Sequence, residues 1–164
     1  MKALLNIIRD RLKADTTLDY LRWVEVLDDE DILPDGFAFP AIGLRDNGIP
    51  APKILFSKKD EDLRVMVICY AALVRGVGSS VMGDSTLSGN AGKGVLDITK
   101  DIRASLKFDK DTPSSDYKTA LEDAGYYSLP LPAEDASQTL VSPDGDNLVQ
   151  KQAVTFAYRR RSDA

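Results

Sequence analysis

The chain of 164 residues contains no histidine and a single cysteine, Cys69. Without histidine there is no Ser-His-Asp or Cys-His catalytic group and no histidine-bound metal centre. One cysteine forms no internal disulfide and makes no zinc site. Cys69 lies within VMVICYAALV and reads as a buried core thiol. An enzyme built from this sequence is restricted to carboxylates, lysines and tyrosines, so no catalytic residue, metal ligand or cofactor site is assigned. Long apolar runs are also missing. No stretch reaches the roughly 18 residues of a membrane-spanning helix, and no membrane partner is expected. The opening MKALLNIIRDRLKAD is interrupted by Asn6, Arg9, Asp10 and Arg11. It has neither the clean apolar segment nor the small-residue cleavage site of a signal peptide, so synthesis in a cytoplasm is expected. Cations are the minority, 21 against 26 acidic residues, giving a formal net charge of −5. Broad binding to nucleic acid or to an anionic membrane needs clustered cations, and this balance argues against it.

What is present suits one domain over residues 1–164 with an ordinary core. Leu4, Leu5, Ile8 and Leu12, with Ile7 beside them, form the stripe of an amphipathic helix over 2–14 that ends near 15–17. RWVEVL, 22–27, reads as a strand. DDEDILPDG, 28–36, reads as an acidic loop, without the alternating ligands of a calcium-binding loop. FAFPAIGLRDNG, 37–48, is extended, with Pro40 at a strand start or sheet edge. The clearest strand runs from Asp62 through DLRVMVICYAALVRG. Val65, Val67, Cys69, Ala71 and Leu73 fall on one face and Met66, Ile68, Tyr70, Ala72 and Val74 on the other. That pattern predicts a central strand covered on both sides. After a Gly/Ser-rich segment, Val95, Ile98, Ile102 and Leu106 predict a second helix, and 118–124 a short helical turn. Two β-like runs joined by Pro143-Asp144-Gly145 predict a hairpin. In its second run Val154, Phe156 and Tyr158 share one face and Ala153, Thr155 and Ala157 the other, which places that strand inside the sheet. The order predicts an α+β fold: a mostly antiparallel sheet with two main helices packed on it, and mobile loops near 76–94 and 109–136.

SGNAGKGVLDITKDIRASL, 88–106, has the look of a phosphate loop. The pattern fails at both diagnostic positions: Gly94 follows Lys93 where Ser or Thr is required, and Leu87 stands five residues before Gly92 where Gly is required. The dinucleotide glycine pattern fails as well, since Val81 occupies its third glycine position after Gly76 and Gly78. What remains is a glycine hinge entering a helix, with Lys93 able to assist an anion at the helix start. Asp28, Asp29, Glu30 and Asp31, and likewise Asp144 and Asp146, lie in predicted loops rather than in a convergent acid–base pair. Arg159, Arg160 and Arg161 suit phosphate or an acidic partner surface, or else a solvated strand end.

Several features together carry a resemblance. They are the IIRDRLKAD helix, the aromatic-Pro pair Phe39-Pro40 in FPAIGLRDNG, the long central strand and the Gly-rich loop. The GKGVLDITKDIRASL helix and the terminal VTFAYRRR complete the layout. In this order the chain resembles the tail terminator family of tailed bacteriophages, also described as minor tail or tail completion proteins. The likeness covers most of the chain as a layout, with residues 109–136 longer than the family pattern. It implies a non-enzymatic virion protein, made in the host cytoplasm and located at the head-proximal end of the tail. Copies would form a ring, a hexamer in the family. The ring would cap the tail tube, stop its polymerisation and meet the head–tail connector or neck protein, with DNA only passing through the lumen. The candidate assembly contacts are Gly78, Ser79, Ser80, Met82, Gly89, Asn90, Lys93, Arg159, Arg160 and Arg161. The alternatives are a neighbouring neck or minor tail protein of related fold, a phosphate-ligand module using residues 78–94, and a hydrolase working through the acidic loops.

Overall fold

The computed structural model describes residues 1–29, 34, 36–48, 53–55, 58–72, 93–107, 115–141 and 149–163. Helix α1 spans Lys2–Ala14 and is followed by a 3-10 turn, Thr16–Leu18. Strands β1 (Trp23–Val26), β2 (Ala41–Asp46), β3 (Lys53–Leu55) and β4 (Lys58–Ala72) come next. Helices α2 (Val95–Ser105) and α3 (Asp116–Asp123) precede β5 (Tyr126–Val141) and β6 (Val149–Asp163). All belong to one sheet in the order β1-β2-β4-β6-β5, with β3 joined to the start of β4. The β1–β2 pair is parallel and every other pair is antiparallel. The α+β, mostly antiparallel expectation therefore holds. The helix number is corrected to three among the described residues, because 116–123 is a full amphipathic helix. Its Ser115 hydroxyl accepts from the Lys118 amide at 3.2 Å, and it buries Tyr117 and Leu121. Within the stretch 109–136, expected as a mobile loop, α3 and the first part of β5 occupy the residues from 116 onward.

The helices share one face of the sheet. Leu4, Leu5, Ile8 and Leu12 of α1, Val95, Ile98 and Ile102 of α2, and Tyr117 and Leu121 of α3 are buried there. They meet Leu63, Val65, Val67, Cys69 and Ala71 of β4 and Val154, Phe156 and Tyr158 of β6. The period-2 and helical stripes seen in the sequence are the two halves of this core. On the opposite face the segment between β1 and β2 folds back. It sets Phe37 and Phe39 beside Trp23 and Tyr70, with ring centroids 4.6 Å apart for Trp23–Phe37 and 5.3 Å for Phe37–Tyr70. Both faces of β4 are thus covered, as its continuous apolar run requires.

Asp15 ties the helical layer together. Its carboxylate accepts from the Thr17 amide at 3.0 Å, the Thr17 hydroxyl at 2.7 Å and the Ser105 hydroxyl at 2.6 Å, and pairs with Arg11 at 3.1 Å. The end of α1, the 3-10 turn and the end of α2 therefore meet on one side chain. Burial alone would raise the Asp15 carboxyl, but the Ser105 and Thr17 hydrogen bonds and the Arg11 charge outweigh it and hold it below the ordinary value of 3.8. The folded form thus releases its proton more readily than the unfolded chain. The resulting stabilisation is fully present above pH 3.8 and is lost as pH falls through the lowered folded value. Asp15→Asn is expected to cost about 1 kcal/mol at neutral pH. Urea melts at neutral and acidic pH test this: the difference between variant and wild type should shrink on acidification, and a difference constant with pH would contradict the account.

Candidate functional site

The start of β4 carries KKDED, 58–62, and the end of β6 carries RRRSD, 159–163. Antiparallel register sets Asp62 against Arg159, Glu61 against Arg160 and Asp60 against Arg161. Each pair is bonded. Arg159 holds Asp62 with two contacts of 2.7 and 2.9 Å, and Arg161 holds Asp60 with two of 2.7 and 3.1 Å. Arg160 reaches Glu61 at 2.7 Å, and Lys59 reaches the other oxygen of Glu61, also at 2.7 Å. Strand alternation puts the first and third pairs on one face and Glu61–Arg160 on the helix-bearing face, near Tyr126. The Arg161 guanidinium also lies 5.2 Å from the Tyr127 ring centre. Hydrogen bonds from Arg160 and Lys59 pull the Glu61 carboxyl below its usual value. The bond from Arg161 does the same for Asp60. The three arginines are therefore committed to acids of their own chain, and this end of the sheet is a neutralised ladder rather than a basic patch.

Lys93 is committed elsewhere. Its ammonium pairs with Asp101 of α2 and lies 4.3 Å from the centre of the Tyr20 ring, while the Tyr20 hydroxyl donates to Asp101 at 2.9 Å. Burial, followed by that bond to a carboxylate, pushes the Tyr20 phenol well up. The amide of Gly94 donates to the Asp97 carboxylate at 3.3 Å, so an acid of α2 itself occupies the helix start where an anion would sit. This cluster belongs to the Cys69 end of β4, because Thr99 of α2 touches Cys69 at 3.5 Å. Cys69 is about 23 Å along the strand from Asp62, at ~3.3 Å per residue, so Lys93 and the three arginines form no common site. Gly78, Ser79, Ser80, Met82, Gly89 and Asn90 lie outside the described residues, as do Glu30, Asp31, Asp144 and Asp146.

Among the described residues no group of three or more Cys, Asp or Glu side chains is arranged to hold a metal ion. No helix there is long and apolar enough to cross a membrane. Burial pushes the Cys69 thiol up to about 12, which leaves it a packing group at neutral pH. Asp60, Glu61 and Asp62 are the residues that sequence reading missed. The signal was available, since two charge blocks of opposite sign sit at the start of one strand and the end of another. It becomes visible only once β4 and β6 are known to pair.

Among the described residues the strand order ends in two unlike outer strands. At one end stands β1, four residues long, and at the other β5, sixteen residues long. Val26 of β1 and Tyr127 of β5 are 39% and 47% exposed. No protein-family model and no curated protein matches the chain.

Proposed function

We propose that the chain is a structural virion protein of tail-terminator type. Copies assemble as a ring on the head-proximal end of a phage tail tube, end its polymerisation and present a surface to the head connector. The observation that carries this reading is the sheet with two different outer strands. A contact between unlike patches repeats from copy to copy, closing into a ring when the rotation between copies closes and growing as a filament when it does not, whereas a contact between like patches stops at a pair. The resemblance of its sequence layout to the terminator family supports it, as does the commitment of Arg159, Arg160 and Arg161 to internal pairs. That commitment leaves a mildly acidic chain with little to retain passing DNA. The phosphate-ligand alternative is weakened by Lys93, whose charge is already met by Asp101 and Tyr20.

The test is the assembly mass over a concentration series, with and without purified tail tubes, and negative-stain images of the same samples. A closed ring, or a cap at tube ends, is expected. A protein that stays monomeric and ignores tubes would remove the reading.

A further inference from the structure

Helix α2 turns an exposed stripe outward. Leu96, Lys100, Arg103 and Ala104 are all exposed and follow one another at the spacing of a single helix face. Leu96 is 41% exposed, one of three large apolar residues so placed among the described residues. The acids of α2 are engaged elsewhere: Asp97 accepts from the Gly94 amide, and Asp101 is held by Lys93 and Tyr20. Lys100 has no ion-pair partner among the described residues.

A groove of complementary character lies between α1 and α3, with a volume of about 630 Å³. Ile7, Ala14 and Ala120 line it with apolar groups, and Asp10 and Asp116 bring carboxylates to it. Arg11 also borders it, but its charge is met: the guanidinium donates to the Ser105 carbonyl at 3.1 Å and pairs with Asp15 at 3.1 Å. Arg9 holds Asp10 through Oδ1 alone, and Asp116 has no ion-pair partner among the described residues. The groove thus combines an apolar lining with acidic charge to spare, which suits a leucine beside a lysine. One copy cannot join the two. The Tyr117 hydroxyl is 3.4 Å from the Leu106 carbonyl, so the groove adjoins the last turn of α2, whereas Leu96 stands in the first turn, about 15 Å away along the axis.

We infer that the outer stripe of α2 docks in the α1–α3 groove of a second copy of this chain, with Leu96 on the apolar lining and Lys100 facing Asp116. This rests on the ring reading above and gives it a contact in the helical layer. Covering Leu96 and the groove supplies attraction, and the charges set the alignment. Stripe and groove are unlike patches on separate parts of the molecule. Each copy gives one and receives the other, so the contact runs on from copy to copy.

Three variants at exposed positions test it, each checked for folding by circular-dichroism melts. Leu96→Asp removes the apolar anchor, and Lys100→Glu and Asp116→Lys each set like charges against one another. Light scattering across concentration, under the conditions in which wild type assembles, should show the assembly midpoint of each raised by about tenfold or more. Mixing gives the sharper result. A Lys100→Glu copy presents an acidic stripe that suits the groove of an Asp116→Lys copy, and the reverse junction keeps its native charges. Equal parts of the two should assemble near the wild-type concentration, although neither does so alone.

Wild-type rings with variants that assemble unchanged would overturn the contact while leaving the ring reading in place. Loss of assembly in both charge variants with no recovery in the mixture would show that the two charges do not face each other, and would also overturn it. A wild-type chain that stays monomeric, with or without tubes, would remove contact and ring together. Should Asp116→Lys fail to fold, the Leu96→Asp and Lys100→Glu results decide.

Discussion

Tyr158→Ala is expected to lower the stability of the chain by about 3–5 kcal/mol, the range for removing a large aromatic from a packed core. Tyr158 is fully buried on the helix-bearing face of β6. Its ring meets Tyr126 edge-on at 6.3 Å, and its hydroxyl lies 3.0 Å from that of Tyr117. The second hydroxyl is 3.4 Å from the Leu106 carbonyl at the end of α2. One side chain thus joins β6, α3 and α2. Burial drives both phenols above their ordinary value, so neither ionises near neutrality. Tyr158→Phe keeps the ring and removes one hydroxyl, and Tyr117 retains its contact with Leu106. It should cost about 1 kcal/mol. Urea unfolding of the two variants separates packing from hydrogen bonding; equal losses would mean that the hydroxyl pair, not the ring, dominates.

The other large effect is expected at Gly43 in the middle of β2. A Cβ there would lie 2.3 Å from Leu27 Cδ1, 3.1 Å from Leu27 Cγ and 3.2 Å from Tyr70 Cε2. Leu27 is buried against this position because the segment after β1 folds across the second face of the sheet. Its methyl can swing away from a single added carbon, so Gly43→Ala should be the milder change. Gly43→Val adds two further methyl groups against Tyr70 and should cost about 1–3 kcal/mol or more through overpacking. In a chain of this size each kcal/mol corresponds to a melting shift of about 2–4 °C. Leu27→Ala combined with Gly43→Val should recover part of the loss. Strict additivity of the two changes would show that the clash is not with Leu27.

The core was readable because it depends on local period. The α1 stripe, the two-faced β4 and the alternating β6 appear in the sequence, and most of those residues that the structure describes are buried, Met66 and Ala157 only partly, while Leu73 and Val74 lie outside the described residues. Pro40 was legible too, as it immediately precedes β2. Less was visible wherever pairing between distant segments decides the outcome. The parallel β1–β2 pair, with Trp23 against Ala41, has no local signature. Residues 109–136 were expected to be a mobile loop with a helical turn at 118–124, and Pro130 and Pro132 within them would argue against an interior strand. At a sheet edge that argument does not apply, and β5 is the edge. Lys93 stood out beside glycines, yet its partners Asp101 and Tyr20 are 8 and 73 positions away. The first partner lies within the helix that follows Lys93, and the second could be found only through tertiary packing. Likewise the three arginines drew attention as a run, while the acids that neutralise them lie about a hundred residues earlier.

The ladder of opposite charges between β4 and β6 has a consequence during folding. Strands can mispair by two residues and still keep each side chain on its proper face, so hydrophobic patterning alone does not forbid that slip. Here it is disfavoured in both directions. A slip one way would set Lys58 against Arg161 and Lys59 against Arg160; the other way would set Asp60 against Asp163. Like charges directly opposite one another are unfavourable. The native alignment is the one that sets opposite charges against each other at 58, 60, 61 and 62 together. The charged tip thus works as a key for the longest strand pair in the molecule, rejecting the near-misses that the greasy middle of the sheet would accept.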